Sequence, residues 1–118
     1  MRKLIIAIWA IALMTGATGA QAEECPSKKP AEAFTDDFLS NEVNIEAGKE
    51  IWLDQCTHCH GKKAYPGKAP KLKPKKYRTG FVFYRVACGF RKMPAWWDFY
   101  EELEIKQIEA FVAQGKLP

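Results

Sequence analysis

The sequence predicts a small all-α protein with one domain. Two long segments place their apolar residues at steps of three and four, as on one face of a helix, and no segment of useful length alternates like a β-strand. The chain has 118 residues, of which 47% are hydrophobic, with 18 basic and 14 acidic side chains. This balance fits one globular domain and excludes a disordered chain. Because so short a chain buries little apolar surface, we expect a cofactor, a metal or a disulfide to strengthen its core.

Residues 1–22 are expected to be a cleaved export signal that is not part of the fold. Arg2 and Lys3 form a basic start, an apolar run follows from Leu4 to Met14, and Ala20-Gln21-Ala22 matches an A-x-A cleavage site. The apolar run is shorter than the roughly 20 residues that span a bilayer. We therefore expect a periplasmic mature chain without a membrane span. An uncleaved anchor is the alternative.

The mature chain is predicted to begin with an N-terminal extension over residues 23–43, which is extended and contains one helical turn. The folded domain then covers residues 44–118. Asn44 is the predicted cap of its first helix, which ends near Cys59. Three prolines between residues 62 and 76 predict a loop after that helix.

Two further helices are predicted beyond this loop. Thr79 is the expected cap of a short helix from Gly80 to Cys88, and Gly89 ends that helix. The last helix runs from about Glu102 to Gln114. Acidic residues in its first turn favour a helix start, and Gly115 favours its end.

Cys56-Thr57-His58-Cys59-His60 is a C-x-x-C-H motif. Residues three apart lie side by side on one helical turn, so Cys56 and Cys59 can each bond one vinyl group of a haem, and His60 can ligate its iron. This motif is typical of c-type haem attachment. We therefore predict one covalently attached haem c per chain.

The motif has three other interpretations. A thioredoxin-like redox pair needs a βαβ context, which the sequence lacks. A structural zinc site needs four ligands, and the motif supplies three. A plain disulfide between Cys56 and Cys59 would leave His60 unexplained.

Met93 is the predicted second axial ligand of the iron. It is the only methionine after the export signal, and Pro94 restrains the backbone beside it. A thioether opposite a histidine raises the reduction potential of a haem. The alternatives are a methionine that fills a gap in the core, and ligation by His58. We expect His58 to be a surface residue, because it lies inside the turn of the motif and points away from the iron.

From about Asn44 to Gln114 the chain resembles the class I c-type cytochromes. The first helix of that family carries a glycine, an aromatic residue and the first haem cysteine at steps of four. Its last helix packs an aliphatic and an aromatic residue across the glycine, where two backbones approach closely. The residues that match this pattern here are Gly48, Trp52, Cys56, Ile108 and Phe111. The resemblance implies a cytochrome c fold, with three to five short helices around one haem.

Two loops extend the resemblance. Residues 67–72 are similar to the G-x-x-A-P-x-L segment of the family, and residues 93–96 are similar to its Met-Pro-Ala-aromatic ligand loop. By this resemblance the Pro70 carbonyl accepts a hydrogen bond from the second ring nitrogen of His60 and sets its tautomer. The long N-terminal extension and the cysteines at positions 25 and 88 depart from the family pattern.

Cys25 and Cys88 are expected to form a disulfide, because an exported chain folds in an oxidising compartment. The alternative is a free, buried Cys88 and an unpaired Cys25.

Basic residues are concentrated between residues 60 and 92. This basic segment holds eleven Lys or Arg and no acid, whereas residues 23–55 hold nine acids and residues 93–118 hold five. It is either a solvated loop or a docking surface for an acidic partner. Nucleic acid is a poor candidate partner, because the chain is exported and the segment lacks the interleaved aromatics of a stacking surface.

The resemblance implies a non-enzymatic electron carrier, because an iron held by both His60 and Met93 has no open position for a substrate. We expect a periplasmic monomer that passes single electrons between redox proteins, such as a dehydrogenase, another oxidoreductase or a terminal oxidase. The alternatives are a haem subunit fixed in a larger enzyme, and a ligand-binding or peroxidase-like haem protein with an open distal site.

Overall fold

The computed structural model describes Cys25 and residues 34–117, and the predicted export signal at residues 1–22 lies outside this part of the chain. The secondary-structure elements of residues 34–117 are all helices, which confirms the all-α prediction. Apart from one isolated antiparallel bridge between Phe90 and Met93, they form no β-structure. No helix among them is both long enough and apolar enough to cross a membrane. The α-helices of the described residues are α1 (Asp36–Ser40), α2 (Glu42–Ile51), α3 (Thr57–His60), α4 (Phe81–Cys88) and α5 (Glu102–Ala113).

Helix α2 begins earlier than predicted, because Asn41 caps it and Asn44 does not. The Asn41 side chain accepts hydrogen bonds from the Val43 and Asn44 amides at 2.9 and 3.4 Å. The Asn44 side chain instead forms hydrogen bonds with α1 and α5. It donates to the Phe38 carbonyl at 3.1 Å and accepts from Gln107 of α5 at 3.3 Å. The predicted cap was therefore wrong, since two asparagines three apart satisfy the same local rule.

Helical backbone continues from α2 into α3 through a π-helical segment, Trp52–Cys56. This continuity confirms the predicted helix as far as Cys59. Within the π segment hydrogen bonds span five residues, and the Thr57 amide closes it by donating to the Trp52 carbonyl. The extra residue in this turn changes the angular position about the helix axis of the residues that follow it. The π segment therefore decides which way the turn that carries Cys59 faces.

The packing of α2 against α5 forms the centre of the fold. Gly48 is buried at the crossing, and a Cβ there would overlap the Gln107 backbone. Only glycine allows the two helices to approach so closely. Ile108 and Phe111 of α5 are 1% and 5% exposed, and they belong to the buried core together with Trp52. The structure thus confirms the helix pairing that the resemblance implied.

Helix α4 is capped from a distance. Its N-cap residue is Gly80, with a φ of 78°, and the predicted Thr79 cap was wrong. Glu109 of α5 supplies the acceptors instead, since its carboxylate accepts from the Gly80 amide at 2.8 Å and from the Phe83 amide at 2.6 Å. A carboxylate at a helix N-terminus also interacts favourably with the helix dipole.

The described part of the predicted extension packs on the domain. Phe34 is 7% exposed, and its ring contacts Phe38 and Phe83, with centroids 6.4 and 5.6 Å away. Further towards the N-terminus, Cys25 and Cys88 form the predicted disulfide, with Cα atoms 5.3 Å apart. The N-terminal segment therefore meets α4 twice, once through Phe34 and once through Cys25.

Candidate functional site

The C-x-x-C-H motif lies at the end of the long helix. Cys56 is the last residue of the π segment, and Cys59 and His60 lie in the short helix α3. Cys59 is exposed and Cys56 is partly buried, and neither forms a disulfide. Burial, together with the charge of Cys59, raises the pKa of the Cys56 thiol to about 12. Cys56 is therefore a neutral thiol at neutral pH.

His60 is held against the core by Trp52. The two rings lie 5.4 Å apart between centroids, inclined by 33°. Burial lowers the pKa of His60 below its usual value of 6.5, so its imidazole is neutral at neutral pH and can ligate a metal. Its Nδ1 is enclosed by protein and has no hydrogen-bond partner. A neutral ring with one nitrogen turned into the protein fits an axial ligand whose other nitrogen, Nε2, faces an iron.

The loop after His60 folds back beneath the motif. A Cβ at Gly67 would come within 2.5 Å of the Cys59 carbonyl oxygen, so this loop lies directly on α3. The Ala69 amide donates to that same carbonyl at 2.9 Å. Pro70 follows Ala69 and is therefore brought close to the turn of the motif. Its hydrogen bond to His60 stays a prediction, because the Nδ1 of His60 has no partner in this structure.

Met93 lies in a tight turn that follows α4. Met93 and Phe90 exchange both backbone hydrogen bonds, each 3.0 Å long, and Arg91 between them adopts a left-handed φ of 55°. The Met93 side chain is partly buried and packs against the same hydrophobic core as Cys56. Met93 therefore has a defined backbone position and an apolar environment.

The segment after Met93 leads back to the motif. The Trp96 ring contacts the Tyr100 ring, with centroids 5.7 Å apart. Desolvation raises the pKa of Tyr100, and its neighbours Cys56, Asp54 and Glu104 contribute smaller increases. Met93, Tyr100 and Cys56 all pack against the same hydrophobic core. The two predicted parts of the site thus border one region of the fold.

The structure also bears on the competing interpretations. His58 is exposed, and its Nδ1 lies 3.0 Å from the Gln55 carbonyl, as expected for a surface histidine. Cys25 and Cys88 are consumed by their disulfide and are therefore not available to a zinc ion. Within the described residues, no three His, Cys, Asp or Glu side chains are arranged to hold a metal ion.

The basic segment lies largely on the surface, where all of its lysines are exposed. Phe90, which is 49% exposed, lies between two guanidinium groups, with Arg85 at 3.9 Å and Arg91 at 5.1 Å from its ring centroid. The ion pairs between described residues, Lys49–Glu46 and Lys106–Glu102, lie outside this segment. Its positive charges are therefore available to solvent or to a partner.

Glu109 and the π segment were missed by the sequence analysis. Glu109 had a detectable signal, because it is a charged residue next to Ile108 on the apolar face of α5. Such a residue is buried only when hydrogen-bonded. The π segment had none, since a one-residue widening of a helix leaves no pattern in a single sequence.

Comparisons with known proteins agree with this geometry. Residues 43–112 match a protein-family model described as cytochrome C oxidase, cbb3-type, subunit III. Among solved structures, the chain is similar to cytochrome cL from the marine methylotrophic bacterium Methylophaga aminisulfidivorans, with a TM-score of 0.59 and 23% identity. That match covers 67% of this chain and 59% of the cytochrome cL chain, and it shows a shared cytochrome c fold. The comparison with curated proteins gives no match.

The family match extends over more than half of the chain, from the first turn of α2 almost to the end of α5, and it includes both the C-x-x-C-H motif and Met93. Covalent attachment of haem c is a property of this family, and the two cysteines occupy the positions that it requires. The chain therefore belongs to the c-type cytochrome domain family described as cytochrome C oxidase, cbb3-type, subunit III, and its cofactor is haem c.

Proposed function

We propose that this protein is a periplasmic electron carrier, which passes single electrons between redox proteins through a six-coordinate haem c. The observation that carries the proposal is the meeting of the two ligand segments. Met93, Tyr100 and Cys56 pack against one hydrophobic core. His60 and Met93 would supply the imidazole and the thioether of a His/Met ligand pair.

Each side chain of the site then has a distinct task. Cys56 and Cys59 would hold the haem by thioether bonds, and His60 and Met93 would ligate its iron. The haem supplies a one-electron couple. Trp52 packs on His60 and keeps water from it, and the turn at Met93 fixes the second ligand. Because both residues are held by packed backbone, a change of iron valence would require little movement of the protein, and an iron bound by both would leave no position for a substrate.

The exposed basic segment supports docking to an acidic redox partner. Transient redox complexes use small interfaces, below about 1,200 Å². Opposite charges then accelerate the encounter more than they strengthen the complex. The partner is a dehydrogenase, another oxidoreductase or a terminal oxidase that carries an acidic face, and the carrier itself acts as a monomer.

The proposed periplasmic location rests on the basic and apolar start of the sequence and its A-x-A site. The disulfide between Cys25 and Cys88 supports it, because structural disulfides persist in oxidising compartments.

Carbon monoxide binding to the ferrous holoprotein tests the coordination state. A six-coordinate carrier should bind carbon monoxide slowly or not at all, should show no peroxidase turnover, and should titrate as a one-electron couple. Rapid binding would contradict the proposal and favour the ligand-binding alternative with an open distal site.

The description of the matched family supports a second candidate, a haem subunit fixed in a larger enzyme. Size-exclusion chromatography of a native extract separates the two, with haem absorbance as the readout. A free carrier elutes at the size of the single chain, whereas a fixed subunit elutes together with other chains.

A further inference from the structure

The disulfide joins the N-terminal segment to the helix that precedes Met93. Cys88 is the last residue of α4, and its Cα lies 5.3 Å from that of Cys25. Gly89 ends the helix with a φ of 70°, and its amide donates to the Arg85 carbonyl at 3.0 Å. The disulfide therefore holds the point at which the chain leaves α4.

The turn that follows is tightly packed on this point. Phe90 and Met93 are closed into a turn by two backbone hydrogen bonds of 3.0 Å. A Cβ at Gly89 would lie only 2.7 Å from the Met93 carbonyl oxygen and 2.8 Å from the Ala95 nitrogen. The backbone of Met93 therefore contacts the end of α4 directly. Because this packing is tight, a movement of Cys88 would also displace Met93.

The residues after Met93 are bound to the same helical turn. The Trp96 amide donates to the Val86 carbonyl at 2.9 Å, and the Trp97 amide donates to the Ala87 carbonyl at 3.3 Å. These bonds satisfy carbonyl groups at the C-terminus of α4 that have no partner within the helix. Both sides of Met93 thus depend on the position of the last turn of α4.

The start of α4 has anchors that do not depend on the disulfide. Glu109 caps it through the Gly80 and Phe83 amides, and the Phe83 ring packs against Phe34. The disulfide is instead the covalent link at the end of the helix, only one residue away from the turn that carries Met93.

We propose that the Cys25–Cys88 disulfide is a positioning clamp for Met93, an inference that rests on the proposed role of Met93 as an iron ligand. The intact disulfide keeps the last turn of α4 and the ligand loop closed. Without it, this region opens locally more often while the rest of the fold and the covalent haem remain. Met93 then leaves the iron more readily, and an external ligand can replace it.

Imidazole titration of the ferric holoprotein tests the clamp. The readout is the loss of the far-red band that reports sulfur ligation of iron. The variant Cys25→Ser/Cys88→Ser should bind imidazole at least about tenfold more tightly than the wild type. Losing even part of the stabilisation that a disulfide provides changes the equilibrium constant for local opening by that factor.

A control variant separates positioning from a general loss of stability. Ile45→Ala shortens a partly buried α2 side chain that packs against the hydrophobic core and lines a surface groove with Phe111 and Gln114, away from α4. Its imidazole affinity should change less than about twofold, although it lowers the free energy of unfolding. Denaturant unfolding of both variants gives the loss of stability against which the affinities are compared.

A chemical version of the experiment avoids any failure of the variant to assemble. A water-soluble phosphine reduces the disulfide of the assembled wild-type protein to two thiols and is itself oxidised to the phosphine oxide. Iodoacetamide then caps the thiols, and ferricyanide reoxidises the iron before titration. The same rise in imidazole affinity is expected.

The outcomes separate the two proposals. A wild-type ferric protein without the far-red band overturns the role of Met93 and the clamp with it. The other outcome concerns a wild type that has the band. If loss of the disulfide then changes the imidazole affinity no more than Ile45→Ala does, the clamp alone is overturned.

Discussion

At the scale of single residues, two buried nitrogen atoms mark the haem site. The Nε1 of Trp52 and the Nδ1 of His60 are enclosed by protein and have no hydrogen-bond partner, and their rings are in contact. An unsatisfied buried polar group costs about 1–3 kcal/mol, and such groups are rare in folded proteins. For the Nδ1 of His60 the predicted partner is the carbonyl of Pro70. Pro70 directly follows Ala69, whose amide donates a hydrogen bond to the Cys59 carbonyl. This hydrogen bond would place the proton on Nδ1 and leave Nε2 for the iron.

Glu109 supports a different part of the molecule, the start of α4. Its carboxylate is 3% exposed and accepts two backbone hydrogen bonds, at 2.8 and 2.6 Å. We predict that Glu109→Gln lowers the free energy of unfolding by about 1.5–3 kcal/mol, because the neutral amide offers one acceptor in place of two charged ones. Denaturant unfolding of the holoprotein measures this loss.

Glu102→Gln is the matched control for that variant. Glu102 lies on the same helix, but its side chain is 51% exposed and pairs with Lys106 at the surface. We expect this substitution to cost less than about 0.5 kcal/mol. Equal effects of the two substitutions would show that Glu109 has no special role as a cap.

At the scale of helices, the crossing of α2 and α5 carries the fold. A methyl group at Gly48 has no room, because it would overlap the Gln107 backbone. We predict that Gly48→Ala lowers the free energy of unfolding by about 3 kcal/mol or more, because the overlap is with backbone and not with a movable side chain, and this loss exceeds the gain of about 1 kcal/mol in helix propensity that alanine brings. The measurement is the denaturation midpoint of the holoprotein.

Gly115→Ala controls for the replacement of a glycine as such. Gly115 has a φ of 66°, but no atom lies within 4 Å of the position that a Cβ would take. Its cost is therefore limited to backbone strain, about 1–2 kcal/mol. If both substitutions lower the midpoint equally and yield the same amount of mature protein, the close approach at Gly48 is not essential.

Local rules predicted the helices well and their caps less well. The last helix was expected from about Glu102 to Gln114, and α5 covers Glu102–Ala113. The same rules chose Thr79 as the cap of α4, where a carboxylate 29 residues from Gly80 provides the acceptors. A cap from a distant helix depends on how the helices pack, and a single sequence carries no direct record of that packing.

The candidate site, too, could be predicted from local rules only in part. The C-x-x-C-H motif is contiguous, so its helical turn could be predicted from spacing alone. The packing of Met93 and Cys56 against one core could not, because it depends on contacts between separate segments, such as the hydrogen bond from Trp96 to Val86. Only the family resemblance connected these parts before the structure did.

At the scale of the whole molecule, charge is separated along the chain. The basic segment contains eleven positive side chains and no acid, and the segments on either side are acidic. Lysines from this segment are exposed beside the loop that packs on α3, and Arg91 and Lys92 directly precede Met93. Such a charge distribution orients a protein in the field of an oppositely charged partner before contact.

Charge reversal tests whether the basic segment guides docking. Lys71→Glu/Lys73→Glu should slow second-order electron transfer to the redox partner about tenfold at low ionic strength and leave the reduction potential nearly unchanged. Raising the salt should slow the wild type as well, because the Debye length falls from about 10 Å at 0.1 M to about 3 Å at 1 M. Stopped-flow absorbance at several ionic strengths measures both effects.

The variant Lys49→Glu/Lys116→Glu makes the same change in net charge outside the basic segment. We expect it to slow electron transfer much less than the first variant does. Similar rates for the two variants, or a wild-type rate that does not depend on salt, would mean that the basic segment is only a solvated loop.

The ferric spectrum of Met93→Ala tests the proposed ligation of the haem iron by Met93 and His60. We predict that the variant keeps its covalent haem, loses the far-red sulfur-to-iron band of the wild type, and has a reduction potential lower by on the order of 0.1 V. A ferric spectrum and a potential identical to those of the wild type would contradict the claim, because the sixth ligand would then be a residue other than Met93.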